Sequence, residues 1–358
     1  MNKERSSNIE LLRIIAMLMI IAYHIWCHCI SFQLSNDTMY FIQPIIYKKL
    51  FLLDIVSPFG QIANGIFILI SGYFMVEKKK LDLGKISKKL LLQNVFSTII
   101  LIIGSTIVYR ILRYDKAVLI GTNMFNIGSW FIGYYFAIMV IAHFYLNNLL
   151  SKFDEKKYIT FLLVVFSIMS LRWSIDLIKG LSNDLAVFIT GIFLYSLGGY
   201  IKRYDPFKKI KTIYIFMLIL AVYGFIFVSS YNNSITNISS YGLNHGGNIQ
   251  SFDNYYIVPV ILAICIFELF TRIKIRNNKT INFLGASTLM IYLLHDNDFV
   301  YSLWRKVNWI ELLNDSPITF VCRYLIYILG TFEVGLIIYL IYKYCEKIIK
   351  RYIKNTNK

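Results

Sequence analysis

Four polar side chains fall on one face of an otherwise apolar segment near the start of the chain. They are Glu10, Arg13, His24 and His28, within the stretch NIELLRIIAMLMIIAYHIWCHCI at 8–30. On a helix, Arg13 and His24 return to nearly the same angle and lie roughly 16 Å apart along the axis. A charge inside a membrane helix costs about 2.5–3.5 kcal/mol or more, so such groups normally face a bundle interior or a watery cavity. This face is therefore a candidate functional path.

The residue types on this face predict a cationic site at one depth and a proton-handling site at another. Neutral histidine accepts a proton near neutral pH, so His24 is a candidate general base for an attacking hydroxyl. Arg13 can hold a phosphate or the carboxylate of Glu10, although it can also snorkel to the inner headgroups. Two such sites joined by one helix are what transfer of a group across a membrane requires.

His24 and His28 are four residues apart, a spacing compatible with metal binding. Cys27 and Cys29 flank His28. No third carboxylate or histidine lies nearby in the sequence, so no metal site is predicted. The five cysteines of the chain are scattered and form no CxxC pair, which indicates apolar core residues rather than a disulfide framework.

Composition places the chain among membrane proteins. Of its 358 residues 57% are hydrophobic and only 16% are charged, with a mean hydropathy of +0.58. The net charge of +17 comes from lysines and arginines in short loops between apolar runs, which is typical of topology signals and not of a nucleic-acid surface. The first apolar run is too long for a cleaved signal peptide and lacks a small-residue cleavage pattern, so a retained signal anchor is predicted.

Apolar runs of roughly 17–25 residues predict an all-α, polytopic bundle of about ten transmembrane helices. No loop is long enough for a separate soluble domain, so residues 1–358 are predicted to form one transmembrane domain. Segments on one side of the predicted membrane hold 26 lysines and arginines and those on the other hold nine, which predicts that both termini are cytoplasmic. The basic stretch after Tyr344 suits the lipids of an anionic inner leaflet. The ten predicted segments are 9–30, 54–76, 90–112, 129–150, 158–173, 184–201, 212–230, 254–271, 281–299 and 318–342.

Other polar and aromatic residues are predicted to match the two depths of the first helix. His295 falls about 21 Å along the ninth segment, a depth similar to that of His24. The i,i+4 pair Trp130 and Tyr134 begins the fourth segment at the same outer level. The alternative for His295 is an interfacial histidine, and for each aromatic residue it is the aromatic belt of the membrane interface.

The second segment is predicted to bring small and polar residues to the inner level. Ser71, Gly72 and Tyr73 close this segment near the depth of Arg13. An inner cluster with Arg13 is one interpretation of these residues. The alternative for Ser71 and Gly72 is close helix packing.

Four sequence features together resemble the integral-membrane acyltransferase-3 family, which includes O-acetyltransferases of bacterial surface polysaccharides and peptidoglycan. They are an Arg followed eleven residues later by a His in the first helix (Arg13 and His24), FILISGYF ending at Phe74, SWFIGYYFAI in the fourth helix, and the late stretch from Ser287 to His295 that ends in YLLH. These features occur in the expected order over most of the chain.

The resemblance implies a single transmembrane acyltransferase domain in a bacterial cytoplasmic membrane. It implies that Arg13 and His24 are essential, that acyl-CoA, here acetyl-CoA, is the donor on the cytoplasmic side, and that a glycan hydroxyl is the acceptor outside. The acidic position before the leucines is Glu10, and the usual basic start of the third helix is made of lysines, with Lys88 and Lys89 as donor-binding candidates. His24 would act as general base or form a covalent acyl-enzyme.

Two alternatives remain open at this stage. Some relatives carry a fused extracellular hydrolase-like domain, which this chain lacks, so transfer is completed in the membrane domain or by a separate extracellular transferase. A transporter or flippase for a lipid-linked sugar would line a path with the same polar face and make no bond, although no repeat of the two halves is evident. Binding of acyl-CoA separates the enzyme from the transporter.

Overall fold

The structure is a computed structural model that describes residues 6–36, 55–78, 80–111, 130–171, 186–236 and 257–356. Every regular element in these ranges is helical, which confirms the predicted all-α class. A π-helical turn, Trp26–Ile30, joins the first two helices, and a second, Ala142–Leu146, joins the fifth and sixth. The helices are α1 Ser7–Ile25, α2 Ser31–Asn36, α3 Phe59–Met75, α4 Leu83–Ile111, α5 Trp130–Ile141, α6 Asn147–Ser151, α7 Glu155–Leu171, α8 Ala186–Tyr204, α9 Thr212–Thr236, α10 Ile257–Arg272, α11 Lys279–His295, α12 Asp298–Trp304, α13 Trp309–Asp315 and α14 Pro317–Thr356.

Within the described residues, each of the ten predicted segments overlaps a helix or helices joined by a π-turn. Five stretches are long and apolar enough to cross a membrane by length and composition, while α3 is apolar but shorter. The number of spans and the cytoplasmic termini therefore stay predictions, and the end of the fifth segment at 172–173 lies outside the described residues. The five stretches are Ser7–Gln33, Leu83–Ile111, Trp130–Ser151, Thr212–Ser229 and Pro317–Asn355.

Several helix ends differ from the sequence prediction, and three of them bear on the site or on the membrane span. Helix α4, predicted as the third segment, begins at Leu83 instead of residue 90, so its lysines lie on the helix itself. The last helix continues to Thr356, and its 40 residues span about 60 Å, twice the hydrocarbon thickness. The ninth segment, predicted to reach residue 299, stops at His295 because Asp296 leaves helical geometry and the Asn297 side chain caps α12 by accepting from the Val300 N–H.

Helix α1 lies at the centre of the bundle. It contacts α3, α10, α11 and α14, and α3 in turn packs closely on α8. The side chains of α1 that face these neighbours are buried and apolar, such as Leu12, Ala16 and Ile21. The polar groups of α1 are thereby enclosed by protein, as expected for intramembrane charges.

The outer faces of the peripheral helices are apolar. Leu91, Ile99 and Ile103 along α4 are exposed, as are similar residues on α7, α9 and α14. A soluble protein rarely exposes such large apolar surfaces, whereas lipid tails cover them in a membrane. The distribution of burial therefore agrees with a membrane protein.

Gly72 lies where α3 and α8 approach most closely. A Cβ atom on Gly72 would overlap the backbone carbonyl of Tyr195 on α8, and one on Gly198 would overlap the carbonyl of Leu69 on α3. Small residues at such crossings allow backbone contact between membrane helices. The structure thus places Gly72 at a helix contact.

Gly72→Ala is expected to lower the free energy of unfolding by about 1–3 kcal/mol, because the added methyl group forces the helix backbones apart. Thermal unfolding in detergent measures the effect. Gly133→Ala is the matched control, since a Cβ there meets nothing within 4 Å. An unchanged unfolding temperature with a raised KM for the donor would instead assign Gly72 to donor binding.

Candidate functional site

Hydrogen bonds tie α1 and the π-turn that follows it to α10, α11, α14 and the residue after α12. At the Arg13 end, termed the inner end, Ser7 Oγ donates to Asn282 Oδ1 at 2.9 Å and Asn8 Nδ2 donates to the carbonyl of Phe270 at 2.8 Å. The His24 end is termed the outer end. There Arg305 Nε donates to the carbonyl of His28 at 2.7 Å, and the Tyr324 hydroxyl donates to the carbonyl of Ala22. These bonds fix the depth of α1 relative to α11.

Arg13 and Glu10 form an ion pair at the inner end. Arg13 Nη1 lies 3.1 Å from Glu10 Oε1, and the Glu10 side chain is almost fully buried. Both hydrogen bonds of the pair use Nη1, so Arg13 can hold Glu10 and still present Nη2 to a ligand. Gly285 of α11 lies against Glu10 so closely that a Cβ there would overlap the carboxylate. Arg13 therefore pairs with Glu10, as one of its two predicted roles requires, and phosphate binding by Arg13 stays a prediction.

A cavity of about 310 Å³ opens beside Arg13. Lys85 and Lys89 of α4 and Ser71 of α3 share its lining with Arg13, and no carboxylate from the described ranges lines it. Apolar and aromatic side chains form much of the remaining wall: Met17, Ile20, Phe67, Phe131, Tyr135 and Tyr292. The cavity combines three cations with apolar walls, which suits an anionic ligand that has an apolar portion.

The cavity runs along α1 toward the outer end. Met17 and Ile20 follow Arg13 in its lining, and Ile20 lies one turn before His24. From α11, Tyr292 lines the cavity and its ring centroid lies 6.0 Å from that of His295. The cavity therefore ends about one helical turn, roughly 5 Å, from the two histidines.

His24 and His295 meet at the outer end. His24 Nδ1 lies 3.2 Å from His295 Nε2, and His295 Nδ1 lies 2.7 Å from the carbonyl of Ile291. Both side chains are buried. The sequence predicted only a shared depth, and the structure shows direct contact.

Asp296 and Tyr301 complete the histidine cluster. Asp296 Oδ1 lies 3.8 Å from His24 Nδ1 and accepts a hydrogen bond from the Tyr301 hydroxyl. The Tyr301 ring stacks on His28 with the ring centroids 4.0 Å apart. His28 is half-buried, and its ring centroid lies 5.5 Å from that of His24.

Three other predicted site residues lie outside the cavity lining. Gly72 contacts α8, as described above. The Tyr73 ring faces Phe267 and lies under the Lys202 ammonium at 4.8 Å. Lys85, Lys88 and Lys89 are all exposed on α4, and of these Lys85 and Lys89 line the cavity whereas Lys88 does not. The structure therefore brings Ser71 and Lys89 to Arg13 but not Gly72, Tyr73 or Lys88.

Trp130 and Tyr134 line a second, smaller cavity of about 20 Å³ with Gln61 and Asn64. Trp130 is 46% exposed and no ring contact joins it directly to either histidine. It stacks edge-on against Phe131, which contacts Tyr292 of the main cavity wall. Trp130 is thus connected to the histidine pair through two intervening rings.

In the structure, Asp296 lies beside His24 and His28, whose spacing is compatible with metal binding. Ligand atoms of His24, His28 and Asp296 all lie within 4.8 Å of one another. His24 Nδ1 and Asp296 Oδ1 already take part in hydrogen bonds with His295 and Tyr301. Histidine nitrogens and a carboxylate oxygen fit Zn²⁺. The hydrogen bonds of His24 Nδ1 and Asp296 Oδ1 within the protein explain the same arrangement without a metal ion.

A chelator test is expected to separate these two roles. EDTA should leave the activity of the protein unchanged if His24 acts as a base, and excess Zn²⁺ should inhibit it by taking the lone pair of His24. His28→Gln should weaken the inhibition by Zn²⁺, because one ligand is lost. Loss of activity in EDTA with recovery on Zn²⁺ would identify the three side chains as a metal centre.

Sequence reasoning missed Asp296, Tyr301, Tyr292, Tyr135 and Lys85 as members of the candidate site. Asp296 adjoins His295 in the sequence LLHDND, which was the available signal, but a carboxylate at a helix end is common. Tyr135 and Tyr292 lie in the quoted stretches SWFIGYYFAI and YLLH, which was their signal, whereas Tyr301 had no distinguishing signal among the 27 tyrosines of the chain. Their positions depend on how α5, α11 and α12 pack against α1.

Fold and site together define a helical membrane protein with a cationic internal cavity that leads toward a buried histidine pair. The family model of the acyltransferase domain matches residues 6–340, nearly the whole chain. The chain therefore belongs to the acyltransferase-3 family, as its sequence features predicted. Searches of curated proteins and of solved structures found no match.

Proposed function

We propose that this acyltransferase moves an acetyl group from cytoplasmic acetyl-CoA to a hydroxyl of a cell-surface or lipid-linked glycan, in a bacterial cytoplasmic membrane. The observation that carries the proposal is the cavity, which has three cations at its inner end and approaches the His24–His295 pair at its outer end. A donor with phosphates at one end and a reactive thioester at the other matches this polarity.

The inner end supplies the groups that would hold the phosphates of the donor. Lys85 and Lys89 are one turn apart on α4 and line the same cavity as Arg13. Charge-assisted hydrogen bonds from lysine and arginine are the usual protein contacts of phosphate. The apolar walls beyond them, including Met17 and Phe67, suit the chain that leads to the thioester.

The outer end supplies the base for the transfer step. His24 takes the proton of the acceptor hydroxyl while the hydroxyl oxygen attacks the thioester carbonyl. The tetrahedral intermediate collapses with cleavage of the carbon–sulfur bond, and His24 returns the proton to the departing CoA thiolate. In the two-step alternative His24 is first acylated and then deacylated by the hydroxyl.

Binding of acetyl-CoA tests the proposal against a transporter. Acetyl-CoA is expected to raise the unfolding temperature of the purified protein, and Lys85→Ala or Lys89→Ala to weaken this binding about tenfold, the effect of losing one charge-assisted contact. Lys88→Ala is the matched control, because Lys88 lies on the same helix turn outside the cavity lining. Movement of a lipid-linked sugar without acetyl-CoA binding would overturn the proposal in favour of a flippase.

Transfer itself is measured with labelled acetyl-CoA and an acceptor glycan in proteoliposomes. Label in the glycan with the purified chain alone supports completion of the reaction in the membrane domain. Label that appears only after addition of a separate extracellular transferase would assign the last step to that partner.

A further inference from the structure

The hydrogen bond of His295 to a carbonyl determines where the protons of the histidine pair lie. A carbonyl oxygen only accepts, so His295 Nδ1, at 2.7 Å from the carbonyl of Ile291, carries a hydrogen and donates it. In a neutral imidazole the other nitrogen is then an acceptor. His295 Nε2 therefore presents a lone pair to its neighbour.

That neighbour is His24 Nδ1, 3.2 Å away. Two lone pairs cannot form a hydrogen bond, so His24 Nδ1 carries the hydrogen and donates it to His295. The lone pair of a neutral His24 is consequently on Nε2.

We infer that His295 is a positioning residue that holds His24 in the tautomer with hydrogen on Nδ1, and that Asp296 stabilises the His24 imidazolium formed during transfer. The inference rests on the proposed acyl transfer. It assigns the reacting nitrogen, Nε2, and gives separate roles to two adjacent residues at the end of α11.

The surroundings of Asp296 favour this second role. Its Oδ1 lies 3.8 Å from His24 Nδ1, and the Tyr301 hydroxyl holds that oxygen in place. Its Oδ2 is buried and has no hydrogen-bond partner among the described residues. A buried carboxylate with one oxygen that accepts no hydrogen bond has an incompletely stabilised negative charge. A positive charge on the adjacent imidazole stabilises it.

The end of α11 explains how two consecutive residues reach the same histidine. His295 is the last helical residue, and Asp296 adopts φ −83° and ψ 70°, outside helical geometry. Asn297 fixes the break, since its Nδ2 donates to the carbonyl of Leu294 and its Oδ1 caps α12. On a continuing helix His295 and Asp296 would point about 100° apart.

The proton inventory of the step follows from this arrangement. The acceptor hydroxyl gives its proton to His24 Nε2 as its oxygen bonds to the acyl carbon. The hydrogen on His24 Nδ1 stays there throughout and is donated to His295 Nε2. His24 Nε2 gives its proton to the CoA sulfur when the carbon–sulfur bond breaks. His295 and Asp296 exchange no proton.

Two variants of similar size at position 295 test the tautomer. His295→Gln retains an amide oxygen able to accept from His24 Nδ1, whereas His295→Leu removes the acceptor. We expect kcat to fall at least about 100-fold in His295→Leu and about tenfold or less in His295→Gln, with an unchanged KM for acetyl-CoA in both. Equal losses in the two variants, or a change confined to KM, would overturn the positioning role.

Asp296→Asn tests the charge. The amide oxygen still accepts from Tyr301, but the negative charge is lost, so kcat should fall about tenfold or more without a change in KM. Wild-type kcat in this variant would refute the role of Asp296.

Nitrogen NMR of protein labelled with ¹⁵N-histidine reads the tautomer without any assay of activity. The His24 signal, identified by its loss in His24→Gln, should show hydrogen on Nδ1 in the wild type and a shift toward Nε2–H in His295→Leu. A His24 with hydrogen on Nε2 in the wild type refutes the inference even if transfer occurs. Absence of transfer in the wild type, with the expected tautomer present, refutes the proposed function alone.

Discussion

Replacing His24 by glutamine is expected to lower kcat for acyl transfer by about 10²–10⁴-fold while acetyl-CoA still binds. General-base catalysis contributes this much, and His24 is the base on which the proposed mechanism depends. The cavity lining includes Arg13, Met17 and Ile20 but not His24, so donor affinity should change little. Transfer of label in proteoliposomes and protection by acetyl-CoA against heat unfolding measure the two effects separately.

His143 provides the matched control for His24. It lies in the π-turn of α5 and α6, outside the candidate site, where its Nδ1 accepts from the Leu81 N–H at 3.1 Å. His143→Asn keeps an acceptor for that bond and should retain transfer. Full activity in His24→Gln would remove His24 from the mechanism and with it the assignment of the outer site.

Replacing Arg13 by leucine is expected to impair the protein in two separable ways. Donor binding should weaken at least about 100-fold, because Arg13 lines the cavity and a guanidinium binds phosphate with paired N–H groups. The unfolding free energy should also fall by about 3 kcal/mol, since the buried Glu10 carboxylate loses the charge of Arg13. Calorimetry of acetyl-CoA binding and thermal unfolding report the two losses.

The double variant Arg13→Leu with Glu10→Gln distinguishes these effects. Removing both charges of the pair should restore most of the unfolding temperature but none of the donor affinity. Arg13→Lys keeps a charge without the planar fork and should bind acetyl-CoA with intermediate affinity. Restored binding in the double variant would show that Arg13 serves only to neutralise Glu10.

The sequence predicted features that depend on local geometry. The apolar runs indicate where the helices occur along the chain. The rise per residue sets the separation of Arg13 and His24 along α1, whatever surrounds that helix. Comparison of depths along α1 and α11 also indicated that His24 and His295 lie at one level, because both helices were expected to run in the same direction. These predictions needed no knowledge of which helices touch.

Neighbouring residues that share a depth could not be separated in this way. Ser71 lines the cavity whereas Gly72 contacts α8, and Lys89 lines the cavity whereas Lys88 does not. Successive residues point about 100° apart around a helix, so the rotation of each helix in the bundle selects one of them. That rotation is set by contacts with other helices and is not encoded in the local sequence pattern.

The first helix by itself therefore predicted the candidate chemistry, a cation and a proposed proton acceptor on one face at two depths. Only the tertiary structure decided their partners. Glu10 pairs with Arg13 beneath Gly285, and His24 meets His295 and Asp296 because α11 approaches α1 closely and then ends at His295. The physical reason is that a helix end and a helix crossing bring together residues more than 270 positions apart in the chain, which no local periodicity records.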